Sequence, residues 1–80
     1  MSLKLVFIGR LEDIAGGSER QVGAAESFDA LLDALEPPLA EVLRGKRIKL
    51  ALNGAIVPDA GAILLQDGDE LAFLPPVSGG

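Results

Sequence analysis

Cysteine and histidine are both absent from this 80-residue chain. It therefore carries no thiolate nucleophile, thiolate metal site or disulfide, and no imidazole to move protons near neutral pH. Any chemistry must fall to a carboxylate, a hydroxyl or the chain end. The end draws attention because Gly79-Gly80 follows a stiff apolar run, Phe73-Leu74-Pro75-Pro76-Val77-Ser78. Two residues without side chains let a backbone enter a narrow tunnel and deliver a terminal carboxyl carbon. Pro75 and Pro76 fix φ and favour an extended arm that loses little entropy on capture. A terminal carboxylate, with a pKa of roughly 3.3 to 3.7, is an anion at neutral pH and a poor acyl donor. Adenylation by an ATP-using partner would supply a leaving group, a sulfur source could then attack the acyl carbon, and the product would be a protein thiocarboxylate.

Other clusters fit structural roles better. Asp67, Asp69 and Glu70 gather carboxylates, but Gln66-Asp67-Gly68-Asp69 lacks the ligand spacing of a calcium loop and suits a turn leading into a strand. Gly16-Gly17-Ser18 is not followed by the Gly-Lys-Ser/Thr ending of a phosphate loop and reads as a flexible turn. Arg44, Lys46 and Arg47 form the main basic cluster, expected to be solvated or paired with nearby carboxylates. No metal site is expected.

Composition narrows the partners. A net charge of -5 with only seven Lys and Arg, scattered along the chain, argues against a nucleic-acid partner. No run approaches the roughly 18 apolar residues of a membrane span, and Met1-Ser2-Leu3-Lys4 leads directly into a strand-like pattern, so the expectation is a cytoplasmic protein with no membrane partner. The 49% hydrophobic content suffices for the core of one small domain.

The elements that would position the arm follow from periodicity. Leu3, Leu5 and Phe7 alternate with Lys4, Val6 and Ile8, and Gly9 ends this opening strand. Ala15-Gly16-Gly17-Ser18 reads as a hairpin turn, with Arg20 to Gly23 as the returning strand. Ser27 can cap a helix in which Phe28, Leu31, Leu32 and Leu35 recur at helical spacing until Pro37-Pro38. Pro38 can open a further helical turn carrying Leu39, Val42 and Leu43, read as connector and packing filler. Ile48, Leu50 and Leu52 form a strand, Asn53-Gly54 a tight turn, and Ile56-Val57 a brief edge strand. Glu70 to Leu74 make the last strand.

This order predicts an α+β fold, a ubiquitin-like β-grasp. Its mixed sheet of four to five strands would have one main helix on one face, parallel first and last strands at the centre, and a flexible C-terminal tail. The boundary expected is a β-grasp domain over residues 1–74 and an extended tail over 75–80. The pleat turns Leu3, Leu5, Phe7, Ile48, Leu50, Leu52, Leu71 and Phe73 toward the helix and sends Val6, Ile8, Ala51, Ala72 and Leu74 outward. An apolar patch on the free face of a sheet reads as a docking surface. The candidate partner-binding residues are Val6, Ile8, Phe73, Leu74, Pro75, Pro76, Val77 and Ser78, with Gly79 and Gly80 as the reacting end.

The stretch Asp67-Gly68-Asp69-Glu70-Leu71-Ala72-Phe73-Leu74-Pro75-Pro76-Val77-Ser78-Gly79-Gly80 resembles the C-terminus of the MoaD family. These are small subunits of molybdopterin synthase, related to the ThiS sulfur carriers. The likeness runs along the whole chain and is most specific in Pro75-Pro76-Val77-Ser78-Gly79-Gly80. The resemblance implies that Gly80 is adenylated by a MoeB-like activating enzyme, which uses ATP and magnesium while this chain binds no cofactor. A sulfur donor protein would then convert Gly80 to the thiocarboxylate. The tail would next enter the MoaE-like large subunit and donate sulfur to cyclic pyranopterin monophosphate. Such a carrier is not catalytic alone, being the sulfur-donating subunit of a two-subunit sulfurtransferase. The family usually has an aromatic residue where this chain has Leu74, a change that bears on partner affinity. The alternatives are a ThiS-like carrier for the thiazole of thiamin, a ubiquitin-like modifier conjugated through Gly80, and a purely structural interaction module.

Overall fold

Alternating apolar side chains and two tight turns fold this chain around a single mixed sheet. The computed structural model describes residues 2–23, 25–45, 47–58 and 63–76. Strand β1 (Ser2–Phe7) buries Leu3, Leu5 and Phe7 while Lys4 and Val6 stay half-exposed. A turn at Gly9 leads to a short helix α1 (Leu11–Ala15), and the chain returns antiparallel as β2 (Glu19–Gly23). Helix α2 (Phe28–Asp33) begins at Ser27, whose Oγ accepts the Ala30 N–H at 3.1 Å, satisfying one of the free donors of a helix start. Helix α3 (Pro37–Leu43) opens on its two prolines, where a missing N–H loses no intrahelical bond.

The remaining strands are β3 (Lys49–Leu52), β4 (Ala55–Val57) and β5 (Glu70–Leu74). Asn53 at φ 50° and Gly54 at φ 87° make the two-residue turn between β3 and β4, the conformation that matches the twist of a hairpin. The sheet order is β2-β1-β5-β3-β4, with β1 and β5 parallel and every other pair antiparallel. This is the β-grasp arrangement anticipated from the strand order, with the parallel pair inside the sheet.

The helical layer departs from expectation. In place of one main helix reaching Leu35, α2 stops at Asp33 and α3 follows as the longer helix, burying Leu39, Ala40 and Leu43. The segment read as connector and packing filler is thus a helix in its own right, and its Leu39, Ala40 and Leu43 belong to the core. Leu35 is still buried, from the link between the two. The hairpin turn also contains α1, whose Leu11 and Ala15 are buried.

Under the sheet the Phe7 and Phe73 rings stack at 5.5 Å and 10°, and Phe28 tilts against Phe73 at 6.3 Å, within the range of favourable aromatic pairs. Ile48 and Leu52 are half-buried at the margin of this core. Among the described residues no polar side chain is buried, so charge stays at the periphery. There Arg20 bridges β2 to Glu36 (2.6 Å) and to the Ala15 carbonyl (2.6 Å), and Arg44 of the basic cluster pairs with Asp29 and with Asp33 (2.6 Å).

Candidate functional site

Strand register assembles the outward face. Val6 lies beside Ala72, Ala72 beside Ala51, and Ala51 beside Ile56. An apolar row therefore crosses β1, β5, β3 and β4 on the side away from the helices. On one flank the row meets charge, where Lys4 reaches Glu19 (3.4 Å) and Glu70 (3.5 Å). The ammonium is held in its charged form above its ordinary pKa, first by the Glu19 carboxylate and then by Glu70. On the other flank Leu74 stands opposite Lys49, and the parallel register carried one residue past Phe7 and Phe73 sets Ile8 beside Leu74.

This second flank is where the chain leaves the sheet. The Ile8 N–H donates to the Phe73 carbonyl at 3.1 Å, the last tie of the β1–β5 ladder. Gly9 follows at φ 60°, and a methyl group placed on it would sit 3.3 Å from Pro75 Cγ. Pro75 thus begins the arm against the turn after β1. Pro75 and Pro76 are half-buried, Ile8 is 42% exposed, and Ile56 is 61% exposed. A protein partner resting on this apolar face would meet the root of the arm and the sheet together.

Val6, Ile8, Leu74, Pro75 and Pro76 are accordingly brought together at the surface. Phe73 is not among them: it is fully buried and stacked on Phe7, because strand alternation turns it to the opposite face from Leu74. The expectation that Phe73 contacts a partner is thus corrected to a core role beneath the outward face. Val77, Ser78, Gly79 and Gly80 lie outside the described residues. Ile56 was missed by sequence reasoning although the signal was available, since a two-residue Asn53-Gly54 turn fixes Ala51 against Ile56 by counting outward.

The acidic turn is structural. The Asp67 Oδ1 accepts the Ser2 N–H at 2.6 Å, and the Asp69 carboxylate accepts from Asn53 Nδ2 (3.0 Å) and the Gln66 N–H (2.8 Å). These bonds, the Asn53 one foremost, lower the Asp69 pKa below its ordinary value. No group of three or more metal-ligating side chains occurs among the described residues, and none of the described helices is long and apolar enough to cross a membrane. What the described residues offer is an outward apolar face with Pro75 rooted at its edge.

A family model described as the ThiS family matches residues 5–80. The chain is 34% identical to the molybdopterin synthase sulfur carrier subunit of Chlamydomonas reinhardtii, with all of both chains covered. Its structure is similar to SAMP1 of Haloferax volcanii, a small archaeal modifier protein, at 28% identity and a TM-score of 0.78 with all of both chains covered. A chain in the complex of subunits 1 and 2 of molybdopterin-converting factor from Helicobacter pylori 26695 is likewise 28% identical, with a TM-score of 0.69 and all of both chains covered.

Proposed function

The chain belongs to the ThiS family, and from that premise we propose that it is the sulfur carrier subunit of a molybdopterin synthase. Gly80 is the reacting residue and Gly79 gives it clearance. An activating enzyme of the MoeB type, with its own ATP and magnesium, joins the Gly80 carboxylate to AMP and releases pyrophosphate. A sulfur donor protein then supplies the sulfur that displaces AMP, leaving a thiocarboxylate. Inside a MoaE-like large subunit that sulfur passes to cyclic pyranopterin monophosphate. The pterin-binding and proton-transferring groups belong to the large subunit, in keeping with a chain that has neither histidine nor cysteine.

The observation that carries this reading is the shared edge. Ile8, Leu74 and Pro75 meet at one side of an outward apolar face, so gripping the face sets the place from which residues 76–80 depart. The relative named as a sulfur carrier subunit and the neighbour solved in a two-subunit complex support the same reading. The Pro75-Pro76-Val77 run favours it over a carrier for thiamin thiazole.

Intact mass provides the test. Protein taken from cells that make the cofactor should show one oxygen replaced by sulfur at Gly80, and protein from cells lacking the activating enzyme should not. Unmodified Gly80 in both samples rejects the reading. The likeness to a small archaeal modifier protein favours a second reading, in which the activated Gly80 is passed to lysine amines. Gly80-dependent ladders of higher-mass conjugates would support it.

A further inference from the structure

We propose that Gly9 is a positioning residue for sulfur delivery, setting the direction in which the arm leaves the domain through its contact with Pro75. The inference rests on the reading of Gly80 as the sulfur-bearing end. Three observations carry it. Gly9 holds φ 60°, where an ordinary L residue is strained. A Cβ there would press to 3.3 Å on Pro75 Cγ. Gly9 also has little room to yield, because the preceding Ile8 N–H is tied to the Phe73 carbonyl (3.1 Å) and the Gly9 carbonyl accepts the Glu12 N–H (3.1 Å) at the start of α1. With one side of the contact pinned, the proline must move.

Pro75 is the first residue after β5, and its ring and that of Pro76 restrict the backbone on either side. A displacement at Pro75 is therefore passed to Pro76 and changes the direction in which the arm departs. Extended to its end within a partner, the arm from Pro75 to Gly80 spans ~16 Å, so a rotation of about 10° at its root swings the terminal carbon by ~3 Å. Group transfer is sensitive to smaller errors than that, with a misplacement of about 1 Å able to lower a rate by about a hundredfold. The apolar row that runs from Val6 through Ala72 and Ala51 to Ile56 does not include Gly9. The predicted defect is thus in transfer from the assembled complex and spares affinity.

The test compares four thiocarboxylated chains: wild type, Gly9→Ala, Pro75→Ala and the double variant. Each is prepared chemically with the sulfur already at Gly80 and mixed with a saturating large subunit and the pterin precursor. Gly9→Ala should lower the single-turnover rate roughly tenfold or more, with Kd for the large subunit unchanged within about twofold. In the Pro75→Ala background, where the ring that Cβ would meet is gone, adding Gly9→Ala should cost less than about threefold. Residual dipolar Cα–Hα couplings of Pro75 and Pro76 in the isolated protein should change with Gly9→Ala and not with Gly17→Ala, a turn substitution away from Pro75. The assignment is overturned if Gly9→Ala slows transfer equally in both backgrounds, if the loss appears in Kd, or if neither rate nor couplings move. Absence of transfer from wild-type thiocarboxylate instead rejects the underlying sulfur-carrier reading.

Discussion

The two ends of the central strand pair are held by opposite kinds of force. At the end where β1 begins and β5 begins, polar bonds crowd together: Gly68 N–H to the Ser2 carbonyl (2.8 Å), Lys4 N–H to the Asp69 carbonyl (2.9 Å), Glu70 N–H to Asn53 Oδ1 (2.9 Å) and Asn53 N–H to the Glu70 carbonyl (2.8 Å). At the end where the arm departs, the last ladder bond from Ile8 lies over stacked phenylalanines, with Gly9 against Pro75. The directional bonds at the first end specify register and the hairpin turn. The second end keeps backbone bonds on either side of Gly9 but rests its strands on packed rings below, and its upper surface is apolar. A domain that must offer one end of its sheet to another protein keeps its many side-chain locks at the other.

The sharpest test of this division lies beyond the sheet. Deleting Gly80, or adding one residue after it, should abolish sulfur donation while leaving Tm unchanged, since Phe73 is the last buried core residue among those described. Retained donation by an extended chain would break the assignment of chemistry to the arm. Next in size is the packing beneath the arm. Phe73→Ala removes a fully buried ring that stacks on Phe7 and meets Phe28 at a tilt and should cost about 3–5 kcal/mol. That approaches the whole stability expected of a domain this small, about 5 kcal/mol or less, so far-UV dichroism should show a largely unfolded protein at 37 °C.

Phe73 also marks how far the sequence was legible. Period-two alternation in β1, β3 and β5 identified both faces of the sheet, and the same alternation separates Phe73 from Leu74; grouping the whole terminal run as contact residues overrode it. The hairpin, the Ser27 cap and the parallel central pair followed from local chemistry. Helix α1 did not, because it has five residues, Arg10 offers its start no side-chain cap bond, and Gly16-Gly17 dominates the signal. Leu11 and Ala15, one helical turn apart, were its trace. The break between α2 and α3 was hidden because Leu35 continues the apolar spacing past the true end. Only tertiary packing reveals that it is buried from a link.

On the outward face the effect should fall on binding more than on folding. Leu74→Asp places a charge on a half-buried surface residue beside Ile8, and should weaken association with the large subunit by at least about tenfold while costing about 1 kcal/mol of stability. Ile8→Asp should act alike. Ile56→Asp, at the far end of the same apolar row, measures how much of the face is covered: an unchanged Kd by calorimetry would confine the interface to the arm end. At the polar end the order reverses. Asn53→Ala loses the side-chain bonds to the Asp69 carboxylate and to the Glu70 N–H and leaves a β-carbon at φ 50°. It should cost about 2 kcal/mol in denaturant unfolding with association unaffected.

Acid gives the smallest and most selective separation of the two ends. The Asp69 carboxylate titrates below its ordinary range because Asn53 and the Gln66 N–H stabilise its charged form. Glu36 is drawn down to about 2 from an ordinary 4.5, chiefly by the Arg20 guanidinium. Between the ordinary and the lowered value the unfolded chain binds more protons than the folded one, so these contributions are fully present above the ordinary carboxylate range and fade as pH falls through the lowered values. Glu36→Gln should flatten the dependence of Tm on pH below about 5 without removing the part that belongs to Asp69. The Gln66 amide donates directly to Asp69 Oδ2 (2.8 Å), whereas the Ile8 amide donates to a backbone carbonyl that does not titrate. Hydrogen exchange followed from pH 6 downward to below the ordinary carboxylate range, corrected for intrinsic rates, should show protection falling at Gln66 at the acid end while Ile8 keeps its own. Equal loss at both amides would mean that acid opens the sheet as one unit, and the two ends would then share one stability despite being fastened by different forces.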